Sequence, residues 1–144
     1  MTLRRTPENL VIHGGTKRVF EWYWADNREM PGLDAFERMT AANQDEFLSR
    51  LEVWGDLQLG DRLPPSQLNV ESEDPLILAI KVGRLRYPVF HAGGTNAWIV
   101  CGPPYEKQGQ KRNKRGDRAI ERTRRQYQDY HRAVKGTQYY DRDK

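Results

Sequence analysis

The sequence predicts an α+β fold, a small antiparallel β-sheet packed against an N-terminal helical hairpin and a C-terminal basic helix. Three observations predict it. Residues 17–25 alternate with period two, as a strand with one buried face does. Residues 33–55 repeat apolar side chains at spacings of three and four, the period of a helix. Residues 76–101 hold three β-type runs joined by tight, glycine-containing connections, for which a meander is the economical solution. A chain of 144 residues and 16.9 kDa suits one domain. The reading places that domain at 17–135, between an N-terminal extension at 1–16 and a polar C-terminal tail at 136–144.

Taken in order, residues 1–16 are polar, carry Pro7 and Gly14-Gly15, and hold little that fixes them. In the first strand Phe20, Trp22 and Trp24 share one face, with Val19, Glu21 and Tyr23 on the other. Pro31-Gly32 marks a turn. Leu33, Phe36 and Met39, then Phe47, Leu51 and Trp54, predict two helices over 33–40 and 43–55. Asn43 and Glu46 serve as the start of the second helix and Gly55 as its end. Residues 60–75, with Pro64-Pro65 and Glu71-Ser72-Glu73-Asp74, read as a long loop without periodicity. Strands follow over 76–82, 84–91 and 96–101. Pro88 inside the second of these cannot donate a ladder hydrogen bond and calls for an edge or a bulge. After Gly102-Pro103-Pro104 comes a basic loop to Gly116. Asp117 then caps a helix that runs to Lys135 and stops at Gly136. Its stripe is Ile120, Thr123, Tyr127, Tyr130 and Val134, leaving Arg118, Arg122, Arg124, Arg125 and Arg132 outward or flanking.

Composition excludes several classes. Hydrophobic residues are 37% and charged residues 31%, and no run approaches the ~18 apolar residues of a membrane span. The N-terminus lacks the apolar stretch of a secretory signal. A single cysteine, Cys101, permits neither an internal disulfide nor a multi-cysteine zinc site, which fits a reducing compartment. His13, His91 and His131 are scattered without metal-ligand spacing. The expectation is a cytoplasmic protein without metal or cofactor.

Charge is unevenly distributed. The overall net charge is +4, yet residues 1–75 hold 8 Lys+Arg against 14 Asp+Glu, and residues 76–144 hold 16 against 6. Within Lys107 to Lys135 there are 11 basic and 3 acidic residues. Such a cluster attracts polyanions and releases counterions from phosphates, so nucleic acid or an acidic protein is the natural partner. A charge run by itself can equally be a solvated helix face.

The stretch Ile80-Lys81-Val82-Gly83-Arg84-Leu85-Arg86-Tyr87-Pro88-Val89-Phe90, followed by Tyr105-Glu106-Lys107-Gln108 and by Ala119-Ile120-Glu121-Arg122-Thr123-Arg124-Arg125-Gln126-Tyr127-Gln128-Asp129-Tyr130, resembles the RelE/ParE toxin superfamily, most closely its HigB-like, phage-derived branch. The branch pattern is an Arg before hydrophobics in the third strand, an aromatic-Lys-Lys-x-Gln stretch after the fourth, and a basic helix ending Asp-Tyr. Arg86, Tyr105, Lys107, Ile120, Glu121, Arg122, Arg124, Arg125, Asp129 and Tyr130 meet it. Glu106 stands in place of a Lys and Thr123 in place of an Ala. The resemblance covers 76–130, and 17–55 only by the order of elements.

What the resemblance implies is a RelE-like fold and the toxin of a type II toxin–antitoxin system, a metal-independent endoribonuclease (mRNA interferase) that cuts mRNA on the translating ribosome. Its partners are then a cognate antitoxin of helix-turn-helix type, the ribosome and mRNA. This chain shows no DNA-reading motif of its own, so direct sequence-specific DNA binding is not expected. Cleavage by the RNA's own 2′-hydroxyl needs a base, cations for the growing charge on phosphorus oxygens, and a proton for the leaving oxygen.

The candidate catalytic residues are Arg86 as phosphate clamp, Lys81 and Arg84 beside it, and Lys107 and Tyr105 after the last strand. Lys111, Arg112, Lys114 and Arg115 are candidate RNA-binding contacts, since a glycine-flanked loop holds catalytic geometry poorly. His91 ends a strand and, as a lone histidine, reads as structural. Trp22, Trp24, Trp54 and Trp98 read as core, and Cys101 as a small buried hydrophobe. Two other readings compete: a ParE-like toxin that poisons DNA gyrase, and a non-catalytic RNA-binding module, which Glu106 keeps open.

Overall fold

In chain order the elements are β1 (Val11–Gly14), β2 (Val19–Trp22), α1 (Pro31–Glu37), α2 (Ala41–Asp56), β3 (Leu68–Glu73), β4 (Leu76–Val82), β5 (Leu85–His91), β6 (Ala97–Val100), β7 (Tyr105–Glu106) and α3 (Lys114–Lys135). They come from a computed structural model that describes residues 7–107 and 114–136. The strands form one sheet in the order β1-β2-β6-β5-β4-β3, with β7 paired to β5 beside that path. The α+β class and the β4–β5–β6 meander agree with the sequence reading. The sheet is mixed rather than antiparallel, because β2 runs parallel to β6. A parallel pair needs a long crossover, and here the helical hairpin and the meander supply it, returning the chain to lie beside β2.

Alternation along β4 and β5 divides the sheet into two faces. Leu78, Ile80, Val82, Tyr87 and Val89 join Phe20, Trp22 and the α2 residues Phe47, Leu51 and Trp54 in the larger core. Trp22 and Phe47 stack there with ring centroids 5.6 Å apart and planes 6° from parallel. On the other face Phe90, Ile99 and Cys101 meet Tyr130 and Ala133 of α3, and Ile77 and Tyr105 meet Ala119 and Ile120. Burying both faces gives a chain of modest hydrophobic content two small cores instead of one.

Local expectations are corrected in several places. Residues 1–16 are not simply an extension: β1 pairs antiparallel with β2, Leu10 is buried, and its carbonyl accepts from Trp22 N at 2.9 Å. The stretch 60–75 is not all loop, since β3 adds to the edge of β4 through a bulge between Val70 and Ser72. The cap of α2 is Thr40, whose hydroxyl accepts from Asn43 N at 3.2 Å, and the helix continues through Gly55 to Asp56. Glu46 turns instead to Arg50 at 2.7 Å and Gly83 N at 3.1 Å. Trp24 leaves the face of Trp22 and packs in the second core, because β2 ends at Trp22. In α3 the buried stripe closes on Ala133, and Val134 is exposed.

Pro88 sits on neither an edge nor a bulge. It lies opposite Ala79 in the β4–β5 register, and its carbonyl accepts from Cys101 N at 2.8 Å on the other side. A residue's N and C=O point to the same side of a strand, so the missing N–H faces the side where β5 changes partner from β7 to β6. No ladder bond to β4 is lost.

Candidate nucleic-acid interface

The turn at Gly83, whose φ of +57° suits glycine, brings β4 back as β5 and sets Lys81 directly opposite Arg86. Residues paired across antiparallel strands point to the same face, and by alternation that face is the one covered by Ile77, Phe90 and α3. β7 pairs next to this point, Arg86 with Tyr105, and Lys107 N donates to Arg84 O at 2.9 Å. Three strands thus bring Lys81, Arg86, Lys107 and Tyr105 together at one end of the sheet, over a floor of Ile77, Ala119 and Ile120.

Two of the cations, Lys81 and Arg86, are held by backbone carbonyls. Lys81 Nζ donates to Pro65 O at 2.6 Å. Its pKa is lowered, first by burial and then by the neighbouring charges of Arg86 and Lys107, with Glu71 opposing. Arg86 Nη1 donates to Gly83 O at 2.8 Å and to Leu85 O at 2.9 Å, which folds the guanidinium over its own turn. Arg86 Nε is buried and has no acceptor among the described residues.

Glu71 is the member that sequence reasoning missed. The Tyr105 hydroxyl donates to Glu71 Oε1 at 3.0 Å, and that bond, not loop exposure, fixes the buried Tyr105. Glu71 is the residue skipped in the β3–β4 register. A bulge re-aims a side chain, and no apolar alternation in the sequence marks the strand that passes there. Glu106 belongs elsewhere: it follows Tyr105 in β7, so alternation directs it to the opposite face from Arg86.

Other candidate residues separate from the cluster. Arg84 is exposed in the turn. Lys114 and Arg115 are exposed too, but in the first turn of α3 rather than in a loop, because the helix begins before the predicted cap at Asp117. Lys111 and Arg112 lie outside the described residues. Two arginines of α3 have structural duties. Arg122 Nη2 donates to Pro103 O at 2.8 Å, and burial lowers its pKa. Arg124 pairs with Glu121 and reaches Ser72 Oγ at 3.4 Å. Cys101 is fully buried, and that burial raises its thiol pKa, so it stays a protonated apolar side chain.

Among the described residues no group of three or more His, Cys, Asp or Glu is placed to hold a metal ion, and no helix is long and apolar enough to cross a membrane. No family model matches the chain, and no curated protein matches it.

Proposed function

We propose that the chain is the toxin of a type II toxin–antitoxin pair, a cytoplasmic, metal-independent endoribonuclease that cuts mRNA on the translating ribosome. The observation that carries the reading is the convergence of Lys81, Arg86 and Lys107 with the Tyr105–Glu71 pair on one end of the sheet. Part of the order of elements supports it: β2, the α1–α2 hairpin, the β4–β5–β6 meander and the basic α3 follow one another as the resemblance implies, with β1, β3 and β7 added to them.

The chemistry assigns a task to each group. The 2′-oxygen attacks phosphorus, the P–O5′ bond breaks, and a 2′,3′-cyclic phosphate and a 5′-hydroxyl result. Glu71 is the carboxylate at hand for the 2′-hydroxyl proton. Arg86 and Lys107 hold the phosphate oxygens as their charge grows. Lys81, whose ammonium is weakened by burial and by two neighbouring cations, supplies the proton to the leaving 5′-oxygen. The exposed Lys114 and Arg115 extend the basic surface for RNA phosphates. The ribosome contributes the orientation of the strand. A cognate antitoxin of helix-turn-helix type neutralises the toxin by covering the basic end.

The test is a translating cell-free extract in which new mRNA 5′ ends are mapped, beside the same RNA without ribosomes. Discrete cuts under translation alone are expected. Intact transcripts with gyrase-linked DNA breaks in arrested cells would replace this reading with gyrase poisoning. Intact transcripts with normal translation would leave a non-catalytic RNA-binding module.

A further inference from the structure

Helix α2 ends at Asp56, and beyond its last turn the sheet face carrying Leu76 and Trp98 holds a cavity of about 750 Å³. Residues 59–62 and the β5–β6 turn at 94–96 supply its walls. Leu76 precedes Lys81 by five positions along β4, about 17 Å at the rise of a strand, so the cavity is separate from the basic cluster. Its volume falls in the range of small-molecule sites, ~300 to 1,000 Å³.

Both walls are braced from within. Arg18 donates to the carbonyls of Trp54, Leu57, Gln58 and Asp61 at 2.7 to 3.1 Å, which fixes the chain leaving α2. In the turn, His91 Nε2–H donates to Thr95 O at 2.6 Å and Thr95 Oγ1–H to Ala92 O at 3.0 Å. The lining is mainly carbon. Leu59 is 73% exposed, and Leu76 and Trp98 are half-buried. The charge of the cavity is positive, with Lys17, Arg18 and Arg62 against Asp61. Asp61 is the carboxylate that offsets Arg18, and Asp56 accepts from Thr16 N and Oγ1. Lys17 and Arg62 remain, both exposed and neither ion-paired among the described residues.

We propose that this cavity binds one small amphiphilic carboxylate, an aliphatic tail with a carboxylate head. The tail lies on Leu59, Leu76 and Trp98, and Lys17 and Arg62 hold the head. Ring geometry favours an aliphatic body: Trp98 is tilted 51° from Trp54 and 48° from His91, so the rings form no parallel-sided slot for a planar group. Area disfavours a protein partner. Each side of a standard protein interface buries ~800 Å², whereas the apolar surface here stops at three side chains, among the exposed polar Gln58, Asp61, Arg62 and Asn96. A second copy pairing two-fold through the patch would bring like cations together. The site stands whether or not the cluster cuts RNA.

The experiment is calorimetric titration of the full chain with octanoate, decanoate and dodecanoate, each below its micelle-forming concentration. One molecule per protein is expected to bind, about tenfold more tightly for each two methylenes added, and to raise the thermal midpoint. Decanol should bind about tenfold more weakly than decanoate, and the double variant Lys17→Ala, Arg62→Ala should weaken decanoate by about the same factor. Leu59→Asp, at an exposed site, should weaken decanoate about tenfold or more while keeping the parent midpoint without ligand. The proposal is overturned if millimolar decanoate does not bind, if decanol binds as tightly, or if the double variant binds decanoate unchanged. It is equally overturned if many molecules bind and the midpoint falls, which is detergent-like binding. A dimer in sedimentation that Leu59→Asp splits and decanoate does not would also overturn it, by seating a second copy in the cavity.

Discussion

The Tyr105 hydroxyl donates to Glu71 Oε1 at 3.0 Å, joining β7 to β3 across the two strands that lie between them. The bond is 34 positions long in sequence and sets a carboxylate among cations. Tyr105→Phe and Glu71→Ala each remove it, and urea unfolding of the two single variants and the double variant should give a coupling of about 0.5 to 1.5 kcal/mol. Glu71→Gln should also lower ribosome-dependent cleavage about 100-fold, as loss of a general base does. Full cleavage by that variant would remove Glu71 from the chemistry.

Arg86→Ala should lower cleavage by about 100- to 1,000-fold, the loss typical for a group that stabilises developing charge, without lowering the thermal midpoint. Arg86→Lys should not restore it, because an ammonium lacks the planar fork. Growth arrest on expression should be relieved when Arg86→Ala is combined with Lys107→Ala. Arrest that persists in the double variant would move the active site away from this end of the sheet.

Arg18 is buried and its guanidinium donates to the carbonyls of Trp54, Leu57, Gln58 and Asp61, tying the end of α2 to the chain that follows it. Arg18→Met should cost about 2 to 4 kcal/mol in urea unfolding, since four acceptors lose a charged donor. Arg18→Lys should recover only part, as one ammonium cannot span four carbonyls.

His131 lies against the rings of Phe90, Tyr127 and Tyr130. Its Nε2 is buried without a partner among the described residues, and burial lowers its pKa. The unfolded chain then binds a proton before the folded one does, so stability falls as pH drops below the ordinary value of about 6.5 and levels off below the lowered folded value. His131→Phe should flatten that part of the thermal-midpoint profile. An unchanged slope in the variant would place the pH dependence elsewhere.

A Cβ added at Gly102 would stand 2.6 Å from Gly32 Cα and 2.7 Å from Gly32 N. Both neighbours are backbone, so neither yields as a flexible side chain does, and Gly102→Ala should cost about 1 to 3 kcal/mol. Gly14→Ala, with nothing within 4 Å of its added atom, is the control that should leave the unfolding midpoint near the parent value.

Much of the fold was legible because its signals are local. The runs of β4, β5 and β6, the spacing of Phe47, Leu51 and Trp54, and the basic helix all declare themselves in short windows. Edge strands do not. β1 and β3 are short or rich in Asn, Glu and Ser, each is paired along one side only, and neither shows the apolar alternation that marks a half-buried strand. The cap of α2 was misplaced by three positions for a related reason: Thr40 and Asn43 both suit a cap, and only the hydrogen bond chooses between them.

The candidate site divides along the same line. Lys81 and Arg86 could be read together from the sequence, since a tight turn at Gly83 fixes which residues oppose each other. Glu71 could not, because a bulge on β3 and a strand arriving from 34 positions away decide where its carboxylate lies. By itself the sequence determined the first core strand, the helical hairpin, the β4–β5–β6 meander and the basic helix in their order, the two charge halves and the identity of the cations. Tertiary structure alone decided the parallel pairing of β2 with β6, the joining of Tyr105 to Glu71 and the aromatic cavity beside Trp54. Propensity and periodicity act over a few residues, whereas each of these features depends on which distant segments share a face.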